Sequence, residues 1–240
     1  MSAGITGMLL QEGEPSSDAR NMAVDEWLLG QAIGQSWLAL RFYRWSEPTL
    51  SVGYFQERSA VPLPASLEHL PRVRRLSGGG AILHDRELTY SLALPATHPL
   101  GSTPVELYRL MHRAMIMGLA EQGIETRMRE AEQAELNGAF LCFLRGDRHD
   151  VILGKHKILG SAQRRRKGAI LQHGSLILQA SRLAPEVPGI EELTGRAVET
   201  THLMNFVVAH LQPLAQDWQP LDRSLPDYQR EISRLEVHYC

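Results

Sequence analysis

Cysteine is almost missing from this chain: only Cys142 and Cys240 occur among 240 residues. A pair so widely spaced excludes a disulfide framework and a four-cysteine metal site, and it predicts two free thiols in a reducing cytoplasm. Long apolar runs are missing too. Ile5 to Leu10 is the start of no leader, since Glu12 and Glu14 follow it, and no stretch reaches the roughly 18 apolar residues of a membrane helix. An excess of either charge sign is also absent. The 25 basic and 27 acidic residues leave a net charge of −2, which gives no global attraction to nucleic acid or membrane. Aromatics make up 6%, and none interleaves the one strongly basic run as single-stranded nucleic acid binding would require.

What the chain does have is 43% hydrophobic residues, enough to bury a substantial core. The expectation is one domain over 1–240, with a motif-bearing core at about 15–180 and a helical extension at about 181–240. Asp18 reads as the N-cap of a helix carrying Met22, Ala23, Trp27 and Leu28 on one face. Trp37 to Tyr43 and Thr49 to Tyr54 read as two strands of one sheet around the Glu47-Pro48 turn. Val73 to Leu76 is a short strand, and Leu88, Tyr90, Leu92 and Leu94 alternate along another. Thr103-Pro104-Val105-Glu106 is a capping box opening a helix that Gly123 ends. Asp150 to Leu153, Lys157 to Ala162 and Ala169 to Leu178 read as strands joined by tight turns at Gly154-Lys155 and Lys167-Gly168. Helices are expected at His202 to Leu211 and Asp227 to His238. The mixed order, with hairpins at both ends of the sheet, predicts an α+β fold with a mixed, mostly antiparallel central sheet flanked by helices.

Four segments carry candidate chemistry. Arg74-Arg75-Leu76-Ser77-Gly78-Gly79-Gly80 offers side-chain-free backbone that can approach a carboxylate, thioester or phosphate. It is neither a Walker loop nor a dinucleotide fingerprint, because no Gly-Lys-Ser/Thr and no helix follows. Lys157, on the face of Leu159 and Ser161 if its strand alternates strictly, can stabilise negative charge on an acyl oxygen or simply be solvated. Gln172-His173-Gly174-Ser175 breaks an apolar strand with polar residues and a glycine that permits close approach. Cys142 is either an inert buried thiol or a nucleophile activated by a cation such as Lys157, with His84, His149 or His173 as base and Asp85 orienting His84. From Arg145 to Lys167 the chain carries a local charge of +6, against −8 elsewhere, which favours an acidic partner.

In order, Asn21 to Glu26, Pro48 to Gln56, Arg74 to Asp85, Asp150 to Gln163 and Leu171 to Leu178 resemble the signatures of the lipoate-protein ligase and octanoyltransferase family, similar in fold to biotin-protein ligases. The resemblance implies a sheet packed with helices, a tunnel for an eight-carbon acyl chain, and acyl transfer to a lysine of a lipoyl-carrier domain. It further implies that Lys157 contacts the acyl carbonyl, that Arg75, Ser77, Gly78, Gly79 and Gly80 form the acyl-binding loop, and that His84, Asp150, His173 and Gly174 complete the pocket. Cys142-Phe143 before Asp150 and Lys157 is similar to the nucleophile position of cysteine-dependent octanoyltransferases, with Arg145-Gly146-Asp147-Arg148 replacing the Pro/Ser-type residues of that pattern. These enzymes take octanoate from acyl carrier protein through a thioester and need no cofactor. The alternatives are an ATP- and magnesium-dependent ligase acting through lipoyl-AMP, or a non-catalytic relative; no metal site, membrane contact or nucleic acid partner is expected.

Overall fold

The computed structural model describes residues 5–56, 64–129, 142–224 and 226–239, with the Cys142 side chain outside the described atoms. In chain order the elements are β1 (Thr6–Gln11), α1 (Asp18–Gly34), β2 (Leu38–Tyr43), β3 (Thr49–Val52), β4 (Arg72–Arg74), β5 (Ile82–His84) and β6 (Glu87–Leu94). They continue with α2 (Pro104–Ala120), β7 (Arg127–Met128), β8 (Val151–Leu153), β9 (His156–Arg166), β10 (Ala169–Ile177), α3 (Ile190–Thr194), α4 (Thr200–Leu211), β11 (Asp217–Pro220) and α5 (Pro226–Glu236). Eight strands form the main sheet in the order β11-β1-β2-β6-β10-β9-β8-β7, and β4-β3-β5 form a small second sheet.

The α+β class and the mixed, mostly antiparallel sheet are as expected, with three corrections. Hairpins close only one end of the main sheet. At the other end β1 runs parallel to both β2 and β11, because α1 intervenes between β1 and β2 and a parallel pair needs such a crossover. Second, β2 and β3 do not share a sheet: β2 pairs with β1 and β6, whereas β3 pairs with β4 and β5. Third, two caps differ. Ser17, not Asp18, caps α1 by accepting from the Arg20 amide, and the capping box of α2 is not formed: Thr103 makes no side-chain cap, its amide donates to the Leu100 carbonyl, and Glu106 turns to Arg109.

Helices cover both faces of the main sheet. α2 and α4 pack on one face against Leu88, Tyr90, Leu92 and Leu94 of β6. On the other, α1 and α5 supply Ala23, Val24, Leu28, Tyr228 and Ile232 against Ala39, Ala93 and Leu171. The alternation in β6 is therefore real but its polar face is not wet: all eight residues of β6 are buried, and Glu87 bonds His84 of the small sheet, Thr89 accepts from the Trp45 indole and Ser91 donates to Asp25 of α1. The turn between β9 and β10 has the left-handed pair Lys167 (φ 49°) and Gly168 (φ 83°), the arrangement that matches the twist of a two-residue hairpin.

Candidate functional site

Where the polar face of β6 and β10 meets the small sheet lies a cavity of about 300 Å³, within the size range of small-molecule sites. Met22, Tyr43, Trp45, Ile82 and Phe143 give it apolar walls, while Arg75, His84, Lys157 and His173 bring polar groups to it.

The glycine loop forms one wall. Arg75 is buried and donates from Nη2 to the carbonyls of Gly78 and Gly80 (both 2.7 Å) and from Nη1 to the Ser51 carbonyl (3.0 Å). Its guanidinium thereby fixes the loop's shape. Gly79 has φ +97°, a conformation that favours glycine, and a Cβ on Gly53 would collide with the Gly79 carbonyl. Arg74 instead braces the neighbouring turn by donating to the carbonyls of Gly53 (3.0 Å), Tyr54 (2.8 Å) and Gln56 (2.8 Å).

Lys157 forms the opposite end. Its ammonium lies 3.0 Å from Asp150 Oδ1, with both side chains buried, and 5.2 Å from the centre of the Phe143 ring. Strict alternation placed Lys157 with Leu159 and Ser161, and the structure corrects this. The pairing of β8 with β9 shifts register so that Val151 faces Leu159 while Ile152 faces Lys157, a bulge that leaves Ile158 as the extra residue. Ile158 and Leu159 then both enter the α2-side core, and Lys157 lies across Gly160, where a Cβ would come 2.5 Å from its Cε. Burial raises the Asp150 carboxyl above its ordinary value even though the Lys157 charge opposes this.

His173 stands between Ser77 and Asp25. Its Nδ1 is 3.1 Å from Asp25 Oδ2, and its Nε2 bonds the Ser77 hydroxyl. Burial works to raise the Asp25 pKa, but the His173 hydrogen bond and the Arg41 charge outweigh it and hold the group below the usual carboxylate value. The ionised carboxylate only accepts; Nδ1 donates to it, which in the neutral ring leaves Nε2 to accept from Ser77. Arg41 binds Asp25 Oδ1 (2.9 Å), Glu12 Oε2 (2.9 Å) and Asn21 Oδ1 (2.7 Å). His84 is oriented by Glu87 (2.6 Å) and bonds Ser51 (2.7 Å); the expectation that Asp85 orients it is corrected, since the acid two positions further along the strand faces inward.

The structure thus brings Arg75, Gly78, Gly79, His84, Lys157, His173 and Gly174 to one cavity, with Asp150 behind Lys157 and Ser77 behind His173. Gly80 sits one layer back, its carbonyl on Arg75. The backbone of Cys142 opens a short 3₁₀ turn, Cys142–Leu144, whose next residue, Phe143, lines the cavity; the thiol itself lies outside the described atoms. His149 is turned away, toward Asp147 (2.9 Å) and the Tyr108 ring (5.5 Å). The basic run does not form one patch. Arg145, Lys155 and Lys157 lie at the cavity end of β9, whereas Arg164 stacks on Tyr54 (4.4 Å) and Arg166 pairs with Glu26 (3.8 Å) at its far end, about 30 Å away at ~3.3 Å per residue. Sequence reasoning missed Asp25, Arg41 and Glu87 as the supports of the site. The available signals were an arginine in the otherwise apolar or aromatic run Leu38–Tyr43 and the i,i+4 pair Asn21 and Asp25 on one helix face.

Residues 17–210 match the profile of the lipoyl protein ligase A/B catalytic domain. The chain is 40% identical over 170 residues to the octanoyltransferase LipM of Geobacillus kaustophilus, a match covering 67% of this chain and 61% of that relative. It is 34% identical to the LipM of Exiguobacterium sibiricum, covering 94% and 93% of the two chains, and 35% identical to that of Moorella thermoacetica, covering 85% and 84%. In fold it resembles lipoate-protein ligase A bound with ATP (TM-score 0.73, 20% identity, covering 97% and 94%) and a putative lipoate protein ligase, Ta0514, from T. acidophilum with bound lipoic acid (0.72, 21%, covering 97% and 93%). Among the described residues no helix is long and apolar enough to cross a membrane. The chain belongs to the lipoyl protein ligase A/B catalytic domain family.

Proposed function

We propose that this protein is an octanoyltransferase of protein lipoylation: it moves an octanoyl group from acyl carrier protein to a lysine of a lipoyl domain, by way of a thioester on Cys142. The observation that carries the reading is the cavity itself, apolar along its walls and ended by a buried lysine beside the turn that Cys142 opens. The relatives named octanoyltransferase point the same way.

The acyl chain occupies the apolar cavity with its carbonyl toward Lys157. The Cys142 thiolate attacks the carbonyl carbon; a new carbon–sulfur bond forms, negative charge builds on oxygen, and the bond to the carrier's sulfur breaks, releasing the carrier thiol after protonation. The lipoyl-domain amine then attacks the same carbon, loses a proton and expels Cys142. Lys157 stabilises the oxygen in both steps, and Asp150 fixes the ammonium at the cavity end. The acyl group is already activated as a thioester, so this sequence needs no ATP, metal or other cofactor.

Incubation with octanoyl-carrier protein alone should add one octanoyl group to the intact mass, mapping to Cys142 and lost in Cys142→Ser. Lys157→Ala should slow transfer about 10²–10³-fold. Acylation that requires free octanoate or lipoate with ATP and magnesium, and that survives Cys142→Ala, would establish a ligase instead.

A further inference from the structure

A second, smaller cleft of about 130 Å³ adjoins the acyl cavity and shares Lys157 and Phe143 with it. Besides Lys157, its walls carry Arg129, Arg145 and Lys155, against the single carboxylate of Glu186. Arg129 is built into place: its amide donates to the Asp150 carbonyl (2.8 Å), so it is tied to the residue that anchors Lys157. Its buried Nε has no hydrogen-bond partner among the described residues, a cost that its surroundings there leave uncompensated. Arg145 reaches over the glycine loop, where a Cβ on Gly80 would come 3.2 Å from its Nη1.

We infer that this cleft binds the phosphate of the donor's phosphopantetheine arm, which rests on the proposed use of a carrier-bound thioester. Shape separates this ligand from the acidic surface of a folded carrier: a recess of about 130 Å³ admits a slender anionic arm, not a protein face. Two guanidinium groups suit a phosphate, which they can bind with paired N–H donors. The shared lining makes the two cavities consecutive, with the acyl chain and its thioester on one side of Lys157 and the phosphate on the other, joined by the pantetheine chain that runs between them.

The test uses the full-length protein and two unreactive probes, S-octyl-4′-phosphopantetheine and S-octyl-pantetheine, as competitors of octanoyl transfer from the carrier protein. The phosphorylated probe should inhibit at least about tenfold more tightly. The double variant Arg129→Gln, Lys155→Gln should reduce that preference below about twofold without weakening inhibition by the phosphate-free probe, and Lys155→Arg should retain it. Equal inhibition by the two probes in the wild type, or a preference that survives in the double variant, would overturn the inference while leaving the transferase reading intact. Inhibition by AMP as tight as by the phosphorylated probe would also overturn it, assigning the cleft to a nucleotide. No transfer from the carrier protein under any condition would defeat the proposed function itself and the cleft's role with it.

Discussion

The two faces of the main sheet carry two buried histidines, and the sheet treats them differently. His173 of β10 faces α1, where Asp25 stands behind it and Arg41 behind Asp25. His112 of α2 lies against the opposite face, where its partners are the His149 carbonyl and the Ser161 hydroxyl (2.7 Å), the latter also bonded to Tyr90 (2.6 Å). Burial pushes the His112 pKa down from 6.5 to about 4, although the carbonyl opposes this. One histidine is embedded in a charged lattice that opens onto the cavity; the other is embedded in neutral hydrogen bonds and stays uncharged. Polarity without charge can be closed off inside the core, whereas the charged set demands several mutually supporting partners.

The largest break in this contrast is expected on the charged face. Asp25→Ala removes a carboxylate that accepts from Arg41, Ser91 and His173 together. The buried Arg41 guanidinium then keeps only Glu12 as a charged partner, and removing one member of a buried pair costs about 3–5 kcal/mol. Urea unfolding at pH 7 should show that loss. Ser161→Ala, on the neutral face, should cost about 1–3 kcal/mol. Equal losses in the two variants would show that the charged lattice adds nothing beyond hydrogen bonding.

How far each face was legible in the sequence follows from the same difference. The apolar stripe Leu88, Tyr90, Leu92, Leu94 and the helix opening at Pro104 are local patterns, and they place the α2 face correctly. The glycine loop, Lys157 and His173 were visible as residues out of keeping with their strands, and family resemblance gave them roles. The lattice beneath them was not visible, because Asp25, Arg41 and His173 are separated by up to 148 positions and meet only when α1 packs over β2 and β10. A bulge likewise escapes reading: one extra residue in β9, Ile158, changes the face of Lys157. Nor does charge counting along the chain reveal that an eleven-residue strand divides the basic run.

Acid should sharpen the contrast from the neutral side. The folded His112 pKa of about 4 lies below its ordinary 6.5, so between these values the unfolded chain binds the extra proton. The stabilisation from the uncharged ring is complete above pH 6.5 and is lost as pH falls toward 4. At pH 5 the loss attributable to His112 amounts to about 2 kcal/mol. Measured as the difference between urea midpoints at pH 7 and pH 5, the decline should be that much shallower in His112→Gln. A variant with the same decline as the wild type would remove His112 as its source.

The smallest expected effect separates the faces by outcome rather than size. Gly160 and Gly174 are cross-strand neighbours, since Gly174 pairs with Ser161 and Ser175 with Gly160, yet a methyl group on each meets a different face. On Gly174 it would collide with the Ser161 hydroxyl, approach Tyr90 Cε1 to 2.7 Å and reach the Gly160 carbonyl at 2.8 Å. Backbone and network cannot both give way, so Gly174→Ala should lower stability by about 1–3 kcal/mol. On Gly160 the methyl meets Lys157 Cε and Nζ at 2.5 and 2.8 Å, the mobile end of a long side chain that can swing aside at little cost in stability. It does so by drawing its ammonium back from the cavity end while keeping Asp150 as its charge partner, since losing that buried partner would cost stability. Gly160→Ala should therefore keep its urea midpoint close to that of the wild type and lower kcat for octanoyl transfer about tenfold, roughly 1.4 kcal/mol of transition-state stabilisation. Because the acyl cavity is otherwise unchanged, KM should move little. Should Gly160→Ala unfold as readily as Gly174→Ala with an unchanged kcat, the methyl would be acting on the sheet, and the position of Lys157 over Gly160 would not set the rate.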